Sequence, residues 1–175
     1  RCSRDWSSDV CSSDLLARIM TPVAKYWLCK RNPVFTVEAM ECLGGNGFTE
    51  DGPFGRLFRE SPLNGIWEGS GNVICLDVLR SVEREPESLR ALLAEIRAAA
   101  PEHPALKAAA DRLEKEFADR SRLEARARRL VELAATALQA SLMLRHADPR
   151  AAAAFCASRL AGDWGHVLGT RSEEH

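Results

Sequence analysis

From Leu15 to Thr170 the apolar residues recur at helical spacing, and what interrupts them is loop residues or single prolines. No alternating run is long enough for a convincing strand, so the pattern confines the chain to an all-α fold. Leu16, Ile19, Val23, Trp27 and Leu28 mark a helix over Leu15–Arg31, which Asn32-Pro33 is expected to end, because proline disfavours a helical residue before it. A second helix is expected over Thr36–Leu43, closed by Gly44-Gly45. The stretch GGNGFTEDGPFG carries too many breakers for regular structure. One turn follows at Arg56–Glu60, then a helix from about Asn72 to Val82. Glu83–Ser88, charged and containing Pro86, is the expected internal boundary. Three helices lie beyond it: Glu87–Ala100, a long one from Pro104 to His146, and Pro149–Leu160 with proline at an early helical position.

Composition narrows the function. The chain is 46% hydrophobic with a net charge of −1, so it can bury a core and has no global pull toward nucleic acid or acidic membranes. No apolar run approaches a membrane span, and no signal-type stretch stands at the N-terminus, so the expectation is a cytoplasmic protein. The six cysteines form no C-x-x-C pair and read as buried thiols rather than metal ligands, and no histidine has a partner at metal or triad spacing. Residues 1–14 and 171–175 show no period and resemble translated adapter sequence, so both are expected to be non-native tails.

Two segments depart from the helical background. Gly44-Gly45-Asn46-Gly47 can let the backbone approach a ligand, or can simply cap a helix. Trp67-Glu68-Gly69-Ser70-Gly71-Asn72 places a carboxylate among small residues at a helix start. There Glu68 can face an open cavity, or can serve only the helix dipole.

Taken together, residues 38–80, EAMECLGGNGFTEDGPFGRLFRESPLNGIWEGSGNVICLDVLR, resemble the closing part of the acyl-CoA dehydrogenase family: a helix ending in G-G-x-G, an Arg–acidic pair, then an aromatic-Glu-Gly-Ser/Thr motif before a helix. The wording TPVAKYWLCKR and IWEGSGNVICLDVLR is most similar to the DNA-alkylation-response (AidB-like, isovaleryl-CoA dehydrogenase-like) branch. The resemblance implies that residues 15–84 end the C-terminal helical domain and that residues 85–170 are an additional helical region. The family's N-terminal helical and β-barrel domains are then missing, and the chain alone is expected to be inactive.

By the same resemblance, Glu68 is the catalytic base that takes the α-proton of an acyl-CoA while the β-hydride goes to FAD, and burial beside flavin and Trp67 would raise its pKa. Trp67, Gly69, Ser70 and Asn72 stand at flavin-contacting positions, and Gly44 and Gly45 at the adenine–pyrophosphate segment, usually on a neighbouring subunit of a homotetramer. Glu41 departs from the family's usual glutamine, and Arg59 is expected to pair with an acidic neighbour.

In residues 120–130, RSRLEARARRL, five arginines face one glutamate. Arg122, Arg126 and Arg129 are expected on one helix face, opposite a stripe of Leu123, Ala127, Leu130, Ala134 and Leu138. The branch's association with double-stranded DNA makes these arginines candidate phosphate contacts. Residues 85–150 hold 12 basic and 11 acidic side chains, so a solvated, salt-bridged face is the alternative. Three functions therefore stand open: a dehydrogenase, a DNA-protecting flavoprotein with vestigial chemistry, and a helical interaction module without a ligand.

Overall fold

The computed structural model describes residues 12–163. Most of the expected N-terminal tail and all of the C-terminal one lie outside the described residues, as do Cys2, Cys11 and His166. Eight α-helices, and no strand among the described residues, make the fold all-α. They are α1 Ser12–Glu41, α2 Gly45–Phe48, α3 Phe54–Glu60, α4 Gly71–Arg84, α5 Pro86–Arg97, α6 Pro104–Ala118, α7 Leu123–His146 and α8 Pro149–Arg159, with 3₁₀ turns at Ser61–Gly65 and Ala100–Glu102.

α1 is one 30-residue helix with Pro22 and Pro33 inside it, so the expected break at Asn32-Pro33 does not occur. An interior proline removes one backbone hydrogen bond and costs ~3 kcal/mol, which packing can offset. Here the Thr36 hydroxyl donates to the Pro33 carbonyl at 2.9 Å and lies 3.3 Å from the Ser61 hydroxyl, tying the helix past the proline to the 3₁₀ turn.

The glycine segment after α1 also differs from expectation, because residues 45–48 close one helical turn, α2. Only Gly44 takes a positive φ, +57°. Gly47 is required for another reason: a Cβ there would stand 2.3 Å from the Met40 carbonyl oxygen.

Past α4 the boundary expected at Glu83–Ser88 shrinks to Glu85, since Pro86 already opens α5. The expected long helix is two, broken at Asp119–Arg122. Ser121 donates to the Asp119 carboxylate from both its amide, at 2.9 Å, and its hydroxyl, at 2.6 Å. Arg122 then takes φ +51°, which ends one helix and redirects the next. Asp148 caps α8 by accepting from the amides of Arg150 and Ala151.

One apolar cluster runs through both halves of the chain. Ile19 and Val23 of α1, Cys75 and Val78 of α4, Leu92 and Ile96 of α5, Leu106 and Leu113 of α6, Leu130 and Val131 of α7 and Cys156 of α8 all belong to it. Of the predicted stripe on α7, Ala127, Leu130, Ala134 and Leu138 are buried in this core and Leu123 packs against it. Polar ties run across the same contacts. The Trp27 indole donates to the Gln139 side chain at 2.9 Å, Arg128 to the Tyr26 hydroxyl at 3.2 Å, and the buried Ser141 to the Glu95 carbonyl at 2.8 Å. The second half therefore folds back onto α1 and does not hang from α4 as a separate body.

Candidate functional site

The site begins where the 3₁₀ turn ends. The Trp67 amide donates to the Leu63 carbonyl at 3.2 Å, and the chain must then turn sharply to reach the start of α4. It does so through two left-handed residues in succession, Glu68 at φ +54° and Gly69 at φ +108°. Glycine adopts this conformation freely, whereas for glutamate it is strained. Ser70 is the N-cap of α4 but makes no side-chain capping bond, so its hydroxyl does not take up the amides at the helix start. At Gly71 a Cβ would meet Lys30 Cε at 2.5 Å, so a side chain there would require the end of that lysine to move aside.

Glu68 and Trp67 line an open cavity of about 1090 Å³ between the middle of α1 and helices α7 and α8. Trp67 is 55% exposed and the Glu68 side chain 85% exposed. The burial expected around Glu68 is thus not supplied by the described residues. From α1, the Lys25 ammonium donates to the Trp67 carbonyl at 2.6 Å and lies 3.8 Å from a Glu68 carboxylate oxygen. Sequence reading missed Lys25, because nothing in its local pattern separates it from an ordinary helix-surface lysine.

Gly69, Ser70 and Asn72 join Trp67 and Glu68 at this corner. Gly44 and Gly45 do not. They follow the C-terminus of α1, and since α1 rises ~1.5 Å per residue, about 24 Å separates that end, at Glu41, from the Lys25 level. Both are exposed, and a Cβ on either would meet nothing within 4 Å. Between the two segments Arg59 holds the loop through a two-pronged pair with Glu50, at 2.7 and 2.9 Å, as expected. Glu41 is exposed.

The expected arginine face is rearranged. Arg122 is the left-handed N-cap of α7 and not part of the helix, so the three arginines do not share one regular face. Arg126 is committed: it donates to Glu116 at 2.5 Å and to the carbonyls of Asp119 and Ser121 at 2.6 and 2.9 Å. Arg122 and Arg129 are exposed.

The Arg126 hydrogen bond, with its charge, holds the Glu116 carboxyl below the usual carboxylate range. A group lowered in the folded state contributes stability above its unfolded pKa and loses it as pH falls through the folded value. Arg126→Met should therefore lower the urea midpoint at neutral pH, and the deficit should shrink by about pH 3. It should not vanish there, since the bonds to two backbone carbonyls do not titrate. A deficit independent of pH would remove Glu116 from this account.

Among the described residues no group of His, Cys, Asp and Glu could hold a metal ion. Cys75 and Cys156 are buried free thiols, the former pushed up to about 11 by burial. Cys29 is only half-buried and Cys42 is exposed, contrary to the expectation for both. No described helix is long and apolar enough to cross a membrane.

Residues 9–83 match the family described as acyl-CoA dehydrogenase, C-terminal domain. The chain is 49% identical over 86 residues to the putative acyl-CoA dehydrogenase AidB of Escherichia coli, covering 49% of this chain and 16% of that protein. It is 42% identical over 74 residues to acyl-CoA dehydrogenase family member 11 of Caenorhabditis elegans, covering 42% of this chain and 12% of that one. The crystal structure of Caenorhabditis elegans ACDH-11 in complex with C11-CoA superposes with a TM-score of 0.74 at 26% identity, over 88% of this chain and 30% of that one. At that coverage the likeness extends past residue 83 into helices α5 to α8. The chain spans less than a fifth of the length of these curated relatives.

Proposed function

We propose, from the match of residues 9–83 to the acyl-CoA dehydrogenase C-terminal domain family, that this chain is the closing helical part of an FAD-dependent acyl-CoA dehydrogenase, in which Glu68 is the base. The observation that carries the reading is the corner itself: a carboxylate held at φ +54°, facing a cavity beside an uncapped helix start. A purely structural carboxylate would have no need of that strain. Packing of Glu68 and the Gly44–Gly47 loop in the core would favour the interaction-module alternative; Glu68, Gly44, Gly45 and Asn46 are exposed, and only Gly47 of that loop is buried.

The residues present fit a flavin dinucleotide. Trp67, Gly69, Ser70 and Asn72 offer an indole face, small side chains and backbone amides at the start of α4, which suit a flavin edge and an anionic group. Gly44 and Gly45 leave the open backbone that a pyrophosphate needs, at a distance that suits the cofactor of a neighbouring subunit in a homotetramer. Flavin, when bound, supplies the hydride acceptor. Glu68 removes the α-proton of the acyl-CoA thioester, and closure of the cavity by further protein excludes water around it. Phe35, Phe48 and Ile66, 66, 74 and 64% exposed, are apolar surface for such protein to cover. An acyl-CoA substrate accords with the C11-CoA bound in the ACDH-11 structure.

Adding a short branched acyl-CoA anaerobically to the complete flavin-loaded protein should bleach the flavin absorbance, and the 175-residue chain mixed with FAD should show no such change. A complete protein that bound flavin yet was not reduced by any acyl-CoA would overturn the dehydrogenase reading. The second reading, contact with double-stranded DNA, then rests on the exposed Arg122 and Arg129, because Arg126 is spent within the fold.

A further inference from the structure

We propose that Lys25 is the positioning residue for Glu68, setting the direction of the carboxylate by clamping the backbone that carries it; this rests on the reading of Glu68 as the base. Lys25 sits on the segment of α1 whose neighbours Val23 and Tyr26 are buried, so its stem starts from a fixed point in the core. Its side chain is only 21% exposed, unlike the 85% of Glu68.

One ammonium group makes two contacts with different consequences. Its hydrogen bond to the Trp67 carbonyl, at 2.6 Å, fixes the peptide plane that leads into Glu68. Its charge, 3.8 Å from the Glu68 carboxylate, favours the rotamer that turns back toward α1 and the cavity. The need for a clamp is visible in the backbone. The Trp67 amide is the last to bond backward, to Leu63, and the Ser70 carbonyl the first to bond forward, to Ile74. Between them stand the two left-handed residues. Among the described residues, Lys25 is the group outside this segment that hydrogen-bonds to it there. A non-glycine residue in the left-handed region persists only when its surroundings hold it. Without the ammonium, Glu68 can relax to an ordinary φ, which swings its carboxylate away from its present direction.

A residue acting in this way changes the chemical step more than binding. In the complete flavin-loaded protein, Lys25→Met should lower the limiting rate of flavin reduction by about tenfold to a hundredfold, the scale of a misplaced catalytic group. Acyl-CoA affinity should stay close to that of the parent. Lys25→Arg keeps charge and donors and should recover most of the rate.

In the 175-residue chain, the amide–Cα coupling and nuclear Overhauser pattern of Glu68 should report positive φ in the parent and in Lys25→Arg. The pattern should be lost in Lys25→Met, with amide signals elsewhere unmoved. Unchanged Glu68 signals in Lys25→Met, or a parallel fall of rate and affinity, would each overturn the assignment. Glu68→Gln run alongside separates the two ideas. If Glu68→Gln abolishes reduction while Lys25→Met reduces like the parent, only the role of Lys25 falls. If Glu68→Gln reduces normally, the base itself has been misassigned.

Discussion

Glu68→Gln in the complete flavin-loaded protein should slow flavin reduction by acyl-CoA about 10²- to 10⁴-fold, the usual contribution of a positioned general base. Glutamine has nearly the same shape, so it should keep the left-handed backbone at 68 and the cavity outline, and acyl-CoA should bind with nearly the parent affinity. What it loses is the capacity to accept a proton, since a neutral amide cannot become the neutral acid that the step requires. The expected signature is therefore a fall in the limiting rate with little change in the dissociation constant. Stopped-flow absorbance at the flavin band, over a range of acyl-CoA concentrations, separates the two quantities. A fall in affinity with an unchanged limiting rate would instead make Glu68 a substrate-binding group.

The elements of this site differ in how far sequence could reveal them. Trp67 to Asn72 stood out in the sequence because the motif is contiguous and rich in small residues, although its left-handed turn through Glu68 and Gly69, at φ +54° and +108°, did not. Lys25 was not legible, because it reaches the corner from a helix 42 positions away in sequence. Helices with strong periodicity and proline or glycine at their ends, such as α4 and α5, came through nearly at their true limits. The errors arose where one local rule stood for tertiary context. Pro33 signalled a break, but Thr36 and Ser61 hold the helix across it. The bend at Asp119–Arg122 carries neither glycine nor proline, and it is made by side-chain bonds between Asp119 and Ser121 and by Arg126 reaching back to Glu116. The arginine face failed for the same reason: the spacing of 122, 126 and 129 says nothing about a carboxylate on the preceding helix.

The shared core leads to the largest expected effect on stability. Ile96 is fully buried in the apolar cluster, on a helix in contact with α1, α4, α6 and α7. Ile96→Ala removes three buried carbons where collapse is resisted from several directions, so a loss of ~2–5 kcal/mol is expected. Domains of this size are stable by only ~5–15 kcal/mol, so the variant should be largely unfolded at temperatures the parent tolerates. The way it unfolds carries more information than the amount. Were residues 85–163 a separate body, the damage would stay on their side of Glu85, and α1 would melt as before. With one core, helix content and the environment of Trp27, which α7 reaches through Gln139, must be lost together at a single lowered midpoint. Circular dichroism and indole fluorescence followed through the same urea series decide the matter. Coincident curves mean that the helices beyond Glu85 are part of the scaffold that holds α1, and hence Lys25, against the Glu68 corner; two separated transitions would mean that the corner stands without them.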